Sequence, residues 1–310
     1  MTQAVLPARK LVGTVHYGDR ALAWLSAFAV VVILAMLAVI VVDVARGGAQ
    51  AISWSFISEA PREGMTAGGI FPAIFGTVAT TLLMTIVAVP AGVATAVYLS
   101  EYASARSRVA RLIQVCVSNL AGVPSIVFGL FGLGFFISAV GRTIDRALYH
   151  GESVYGRGCL LWSSLTLSIL TLPVVVVATE EAILAVPREL REGSYALGAT
   201  RLQTIVRVVL PEALGGILTG TILAVSRGAG EVAPILFTGV AYYLPYLPTH
   251  LNDQFMNLGY HVYVLATQSP DVERTKPLLY GTALVLLCLT FLLNAVAISI
   301  RSRARKRSRA

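Results

Sequence analysis

Residues 179–213 read TEEAILAVPRELREGSYALGATRLQTIVRVVLPEA. Charge sets this stretch apart: Glu180, Glu181, Arg188, Glu189, Arg191, Glu192, Arg201 and Arg207 fall within it, between apolar runs at 158–179 and 213–241. Two short helical patterns are visible, the first after Pro187 and the second after Gly198. Glycine suits a tight turn at position 198 because a residue without Cβ adopts positive φ at no steric cost. Pro211 is expected at the first turn of the following apolar run, where its missing N–H costs little. A helix–glycine–helix hairpin this polar does not insert into a bilayer, and it is too regular for a passive connector. It reads as a docking surface suspended between two membrane spans.

The flanking runs are two of six. A hydrocarbon core about 30 Å thick needs about 20 apolar residues in a helix. By that measure spans are expected at 21–42, at 70–99 with Pro72 and Pro90 inside, at 112–140 with Pro124 inside, at 158–179 with Pro173, at 213–241 with Arg227 and Glu231, and at 278–300. The expectation is an all-α polytopic membrane protein with six transmembrane helices. It has an N-terminal segment 1–20, a transmembrane domain 21–300 containing the polar loop 180–211, and a basic tail 301–310. Composition agrees: of 310 residues 56% are hydrophobic and 13% charged, whereas a soluble domain is roughly 25% charged. A chain with so few charges cannot cover a water-facing surface, which excludes a soluble enzyme, a disordered chain and a coiled coil. The first run is too long for the apolar core of a signal peptide and no small-residue cleavage site follows it before Asp43, so it is kept as an uncleaved helix.

Orientation follows from the basic residues. With six spans, the termini, the 106–111 connection and the 188–207 loop share one side, and that side carries sixteen Arg and Lys against seven on the other. The rich side, with both termini, is expected to be cytoplasmic. A basic tail directly after a membrane helix serves as an orientation and lipid anchor rather than a nucleic-acid site. Cys116, Cys159 and Cys288 are scattered and odd in number, and His16, His150, His250 and His261 lack ligand spacing, so no disulfide framework, metal or cofactor is expected. No GxxxxGK[ST] precedes any lysine, and no GxSxG or HExxH occurs, so the chain has no phosphate-cradling loop for ATP and no enzyme site of its own.

The hairpin carries a resemblance. Glu192-Gly193-Ser194, then Gly198, then Val208-Val209-Leu210-Pro211 resembles the EAA loop of permeases of ATP-binding cassette (ABC) importers: EAA, three residues, Gly, nine residues, I-x-L-P. Gly193, Ser194 and Val208 depart from the pattern by small or β-branched exchanges. GGIFPAIFGT at 68–77, VPAGVATAVYLSEYA at 89–103, LAGVPSIVFGLFG at 120–132, TEEAI at 179–183 and RGAGEVAPILFTG at 227–239 are similar to the phosphate importer permease pair, and within it to the PstA-like half. The resemblance implies a type I ABC importer permease (MetI-like) fold. It also implies four partners or ligands: a PstC-like second permease, a PstB-like cytoplasmic ATPase dimer, a PstS-like extracytoplasmic phosphate-binding protein, and inorganic phosphate as substrate. It places Glu192, Gly193, Ser194, Gly198, Leu210 and Pro211 in coupling to the ATPase. The alternative is the same machine for another oxyanion, such as phosphonate, sulfate or molybdate. A secondary transporter would need a coupling-ion site in broken helices and inverted repeats, which this sequence lacks.

Arg227 and Glu231 lie four residues apart, with Arg227 near the middle of the expected fifth span. An ionisable side chain there costs at least about 2.5 kcal/mol, so it should face the bundle interior or a water-filled path. Either the two pair to fix packing, or Arg227 presents its planar fork to a passing oxyanion while Glu231 holds the guanidinium; both can hold in different transport states. Gly216, Gly220, Ala224 and Gly228 form a small-residue stripe of period four along which another helix can approach closely. The tyrosine-rich stretch 242–277 is expected outside the membrane, with a short helix over 252–266.

Overall fold

The computed structural model describes residues 17–62, 67–104, 106–269 and 272–307. Arg9, Lys10, His16 and the last tail residues 308–310 lie outside them. The chain divides after Arg46 into two units. The first is carried by helix α1 (Tyr17–Ala49), whose apolar side chains from Leu22 to Val42 are exposed. A helix apolar on every side is built to lie against lipid or protein rather than water.

The second unit contains α2 (Trp54–Ser58), a two-residue antiparallel pair β1 (Pro61–Arg62) and β2 (Ala67–Gly68), and α3 (Phe71–Tyr102). These are followed by α4 (Arg108–Gly122), α5 (Ser125–Leu148), α6 (Leu160–Leu184), α7 (Arg188–Ala196) and α8 (Arg201–Gly230). The short α9 (Ala233–Leu236), α10 (Leu258–Thr267) and α11 (Val272–Arg307) complete it. Among the described residues, six helices (α1, α3, α5, α6, α8 and α11) are long and apolar enough to cross a membrane.

Helix α6 is the centre of the second unit. Two thirds of its apolar segment (67%) is buried, against 28% for α3, α5 and α8. Its sequence explains why. Ser163, Ser164, Thr166, Ser168 and Thr171 are small and fully buried, so neighbours come close. Ser164, Thr166 and Thr171 donate to the carbonyls of Leu160, Trp162 and Leu167 one turn back, at 2.8, 2.7 and 2.9 Å, which removes the cost of burying a hydroxyl. Ser168 Oγ also reaches the Met84 carbonyl of α3 at 3.1 Å. The small-residue stripe of α8 forms its seam with these helices. A Cβ on Gly220 would stand 2.5 Å from that of Ala178 on α6, Gly216 faces Ala182, and Gly228 faces the Met84 sulfur.

The helix bounds depart from the sequence expectation in two places, each at a proline. Expected span 112–140 is two helices. Val123 is extended (ψ 132°) ahead of Pro124, whose ring would collide with the Leu120 carbonyl if the helix ran on. The amphipathic α4 therefore ends at Gly122, burying Ala110 and Val117, and the apolar α5 begins at Ser125. Expected span 213–241 is instead α8, which starts at Arg201 and stops at Gly230. Pro234 would clash with the Gly230 carbonyl in a continued helix. Pro211 stands in the first turn of the α-helical part of α8, Leu210–Gly230, as expected, although the helix runs on ahead of it to Arg201. It is accommodated by a widened π segment over Ile205–Val209, in which the Leu210 N–H bonds the Ile205 carbonyl five residues back.

The expected short helix at 252–266 is α10, opened by Asn257, whose side chain accepts from the N–H groups of Gly259 and Tyr260 at 2.9 and 3.2 Å. The Leu258 N–H donates to Thr77 Oγ1 on α3 at 2.9 Å, so this cap is fixed to the N-terminal part of α3.

Candidate coupling hairpin and arginine groove

The polar hairpin folds as its residue types dictate. Pro187 is extended (ψ 141°) and opens α7. Gly198 has φ +83°, and around it the Gly198 N–H bonds the Tyr195 carbonyl at 2.9 Å while the Ala199 N–H bonds that of Ser194 at 3.2 Å. This is the Schellman closure of a helix, which needs a left-handed residue. A Cβ at Gly198 would meet nothing within 4 Å, so backbone conformation alone demands the glycine. Thr200 and Gln203 then form a capping box that starts α8. Ser194 Oγ and Thr204 Oγ1, 2.9 Å apart, join the two arms.

Of the expected coupling residues, Glu192, Gly193, Ser194 and Gly198 share this hairpin, with Glu192, Gly193 and Gly198 exposed. Leu210 and Pro211 do not reach it. Leu210 packs with Ile183, Val186, Val209, Ala213 and Ile217, where α8 lies on the end of α6. The structure adds two residues that spacing did not single out. Leu197 is 90% exposed at the apex of the hairpin. The signal in the sequence was a leucine immediately before the turn glycine, outside the apolar face of either helix. Arg191 is the other: it points inward and is paired with Glu101 at 3.0 Å.

Arg227 lies in the last turn of α8, where the adjoining Gly228 stands against Met84 and Thr171 near the middles of α3 and α6, and Glu231 is the residue that caps the helix in extended conformation (ψ 135°). A cation there is favoured by the negative end of the helix dipole. The pair forms: Arg227 Nε donates to Glu231 Oε1 at 3.3 Å, with the two side chains 43% and 19% exposed. Arg227 also lines a groove of about 350 Å³ between α4, α6 and α8. Leu120, Leu170, Pro173, Val174, Val177 and Leu223 make its walls apolar, and Glu181 is the other charged group on its lining. Only Nε is engaged by Glu231, and among the described residues the terminal amino groups of Arg227 have no protein partner. The arrangement supplies one fixed positive fork beside an otherwise greasy, open groove. It can attract an oxyanion by two parallel hydrogen bonds without enclosing it.

Residues 88–309 match the family of binding-protein-dependent transport system inner membrane components. The chain belongs to this family. The match takes in the hairpin, the groove and every helix from the later part of α3 onward. This permease is 37% identical over 245 residues to "Phosphate transport system permease protein PstA 1" of Mycobacterium tuberculosis, covering 78% of this chain and 73% of that protein. It is 31% identical over 264 residues to "Phosphate transport system permease protein PstA" of Haemophilus influenzae, covering 85% and 86%. Among solved structures it superposes on a bacterial ABC transporter for alginate with TM-score 0.63 at 17% identity, covering 94% of this chain and 96% of that one. On the MetNI methionine ABC transporter the TM-score is 0.55 at 19% identity, covering 76% and 94%. The fold is that of the MetI-like ABC importer permeases.

Proposed function

We propose that this permease forms, with a second and PstC-like permease subunit, the path by which inorganic phosphate crosses the bacterial cytoplasmic membrane. ATP hydrolysis on a separate PstB-like ATPase dimer drives it, and a PstS-like extracytoplasmic protein delivers the phosphate. Similarity to phosphate permeases along most of the chain supports the substrate. The observation that carries the reading is the Arg227 fork, held by Glu231 on one edge and open to the groove on the other. Hydrogen phosphate offers the paired oxygens such a fork bonds, and at about one to two negative charges it is attracted without being trapped.

The hairpin is the surface for the ATPase. Helix α7 buries none of its residues, and Leu197 stands out at its apex, so the hairpin presents a knob and a charged helix to a cleft on a partner. The excess of Arg and Lys on the hairpin side, sixteen against seven, supports placing that side and both termini in the cytoplasm.

The test is ATP-dependent uptake of labelled phosphate into vesicles carrying the reconstituted complex, with sulfate and molybdate as competitors. Phosphate accumulation that tenfold sulfate or molybdate leaves unchanged is the expected result. Equal competition by sulfate or molybdate would move the assignment to another oxyanion.

A further inference from the structure

Nothing apolar seats helix α7 on the rest of the molecule, since none of its residues is buried. Apart from the Ser194–Thr204 contact with α8, one side chain, Arg191, ties it to α3 and to the end of α6. Arg191 Nη1 donates to the Val186 carbonyl at 2.6 Å and Nη2 to the Ile183 carbonyl at 2.8 Å, both at the end of α6. Nη2 and Nε also donate to Glu101 Oε1, at 3.0 and 3.3 Å. Glu101 belongs to a π turn, Tyr98–Tyr102, that closes α3. The turn leaves Glu101 buried at 8% and its neighbour Tyr102 outside at 44%. Tyr102 receives the other arm of the hairpin: the Arg201 guanidinium, at the start of α8, lies 5.1 Å from its ring centroid. Two consecutive residues at the end of α3 thus hold the two arms of one hairpin, each through an arginine.

We propose that Glu101 is a positioning residue, and that the Glu101–Arg191 pair is the joint through which displacement of the coupling helix moves α3 together with α6. This rests on the reading of the hairpin as the ATPase contact. A guanidinium bonded to a carboxylate and two carbonyls in fixed directions transmits a push as a rigid strut; a sliding apolar contact would absorb part of it. Lysine at 191 would keep the charge but cannot satisfy all three acceptors in one plane. Because both side chains belong to one joint, removing the second after the first should do little more.

The experiment measures ATP hydrolysis and phosphate uptake side by side in vesicles containing the full complex and its binding protein. In Glu101→Gln, which preserves shape, and in Arg191→Lys, the complex should assemble at normal level and hydrolyse ATP. Phosphate moved per ATP should fall about fivefold, and stimulation of hydrolysis by the loaded binding protein should be lost. Glu101→Ala combined with Arg191→Ala should be no worse than either alone. If Glu101→Gln and Arg191→Lys keep the unaltered ratio of phosphate to ATP, the joint is refuted, and it is equally refuted if the alanine variants merely lower the amount of complex at constant ratio. Failure of the unaltered complex to move phosphate with ATP would instead overturn the transport reading on which the joint depends.

Discussion

Among the described residues Arg227 makes one hydrogen bond, although a guanidinium has several more donors to offer. If those donors serve a passing anion, Arg227→Gln should leave the complex at normal level while uptake falls roughly thirtyfold, the equivalent of about 2 kcal/mol for a lost charged hydrogen-bond pair. Arg227→Lys should retain an intermediate rate, because the charge remains and the fork does not. Uptake assays paired with immunoblots of the purified complex separate this from a structural role, in which protein level would fall in step with transport. His261 poses a different residue-scale question. It is 3% exposed on α10, its Nδ1 has no hydrogen-bond partner among the described residues, and burial pushes its pKa down to about 4. The folded protein keeps this ring neutral while the unfolded chain protonates it near 6.5. Its contribution is therefore intact above pH 6.5 and is lost progressively as pH falls from 6.5 towards 4, by about 3 kcal/mol in all. Thermal unfolding of the detergent-purified complex should show that decline, and His261→Phe should flatten it.

Among the elements, the hairpin about Gly198 and the α6–α8 seam make opposite demands on glycine. Gly198 has open space around it and positive φ, so it is constrained by backbone conformation. An isoleucine there must leave the left-handed region or be strained by roughly 1–2 kcal/mol or more. Gly198→Ile should uncouple ATP hydrolysis from uptake by shifting Leu197, and a normal transport-to-hydrolysis ratio in that variant would remove the hairpin from the mechanism. Gly220 is ordinary in backbone but crowded by Ala178 at 2.5 Å. Gly220→Leu should destabilise the bundle by about 1–3 kcal/mol through overpacking. Gly215 lies on the same helix, and a Cβ there would meet nothing within 4 Å. It should accept alanine with a gain of roughly 0.5–1 kcal/mol. Calorimetric or fluorescence melting of the two variants should move in opposite directions.

At the scale of the whole molecule, the proposed orientation is open to direct measurement. In a background lacking Cys116, Cys159 and Cys288, single cysteines at Arg62, Gly151 and Asp253 should react with an impermeant thiol reagent added outside intact cells, and a cysteine at Ser194 should not. External labelling at Ser194 would invert the topology. The membrane class, the number of long apolar helices and the hairpin about Gly198 were legible in the chain because each rests on local rules: apolar length, charge placement and the steric freedom of glycine. The small-residue stripe was equally legible, since spacing of four on a helix defines one face whatever it meets. Helix ends were less so. Pro124 and Pro234 broke runs that composition alone joined, while Pro211 did not break its helix because a π turn beside it absorbed the missing donor. Whether a proline interrupts or is accommodated depends on what packs around it. The same holds for the charged residues. Sequence spacing paired Arg227 with Glu231 because a separation of four is a local relation, yet the groove it lines is formed by α4, α6 and α8 together. Glu101 and Arg191, ninety positions apart in the chain, could be brought together only by the packing of α3 against α6, since no periodicity links residues on different helices.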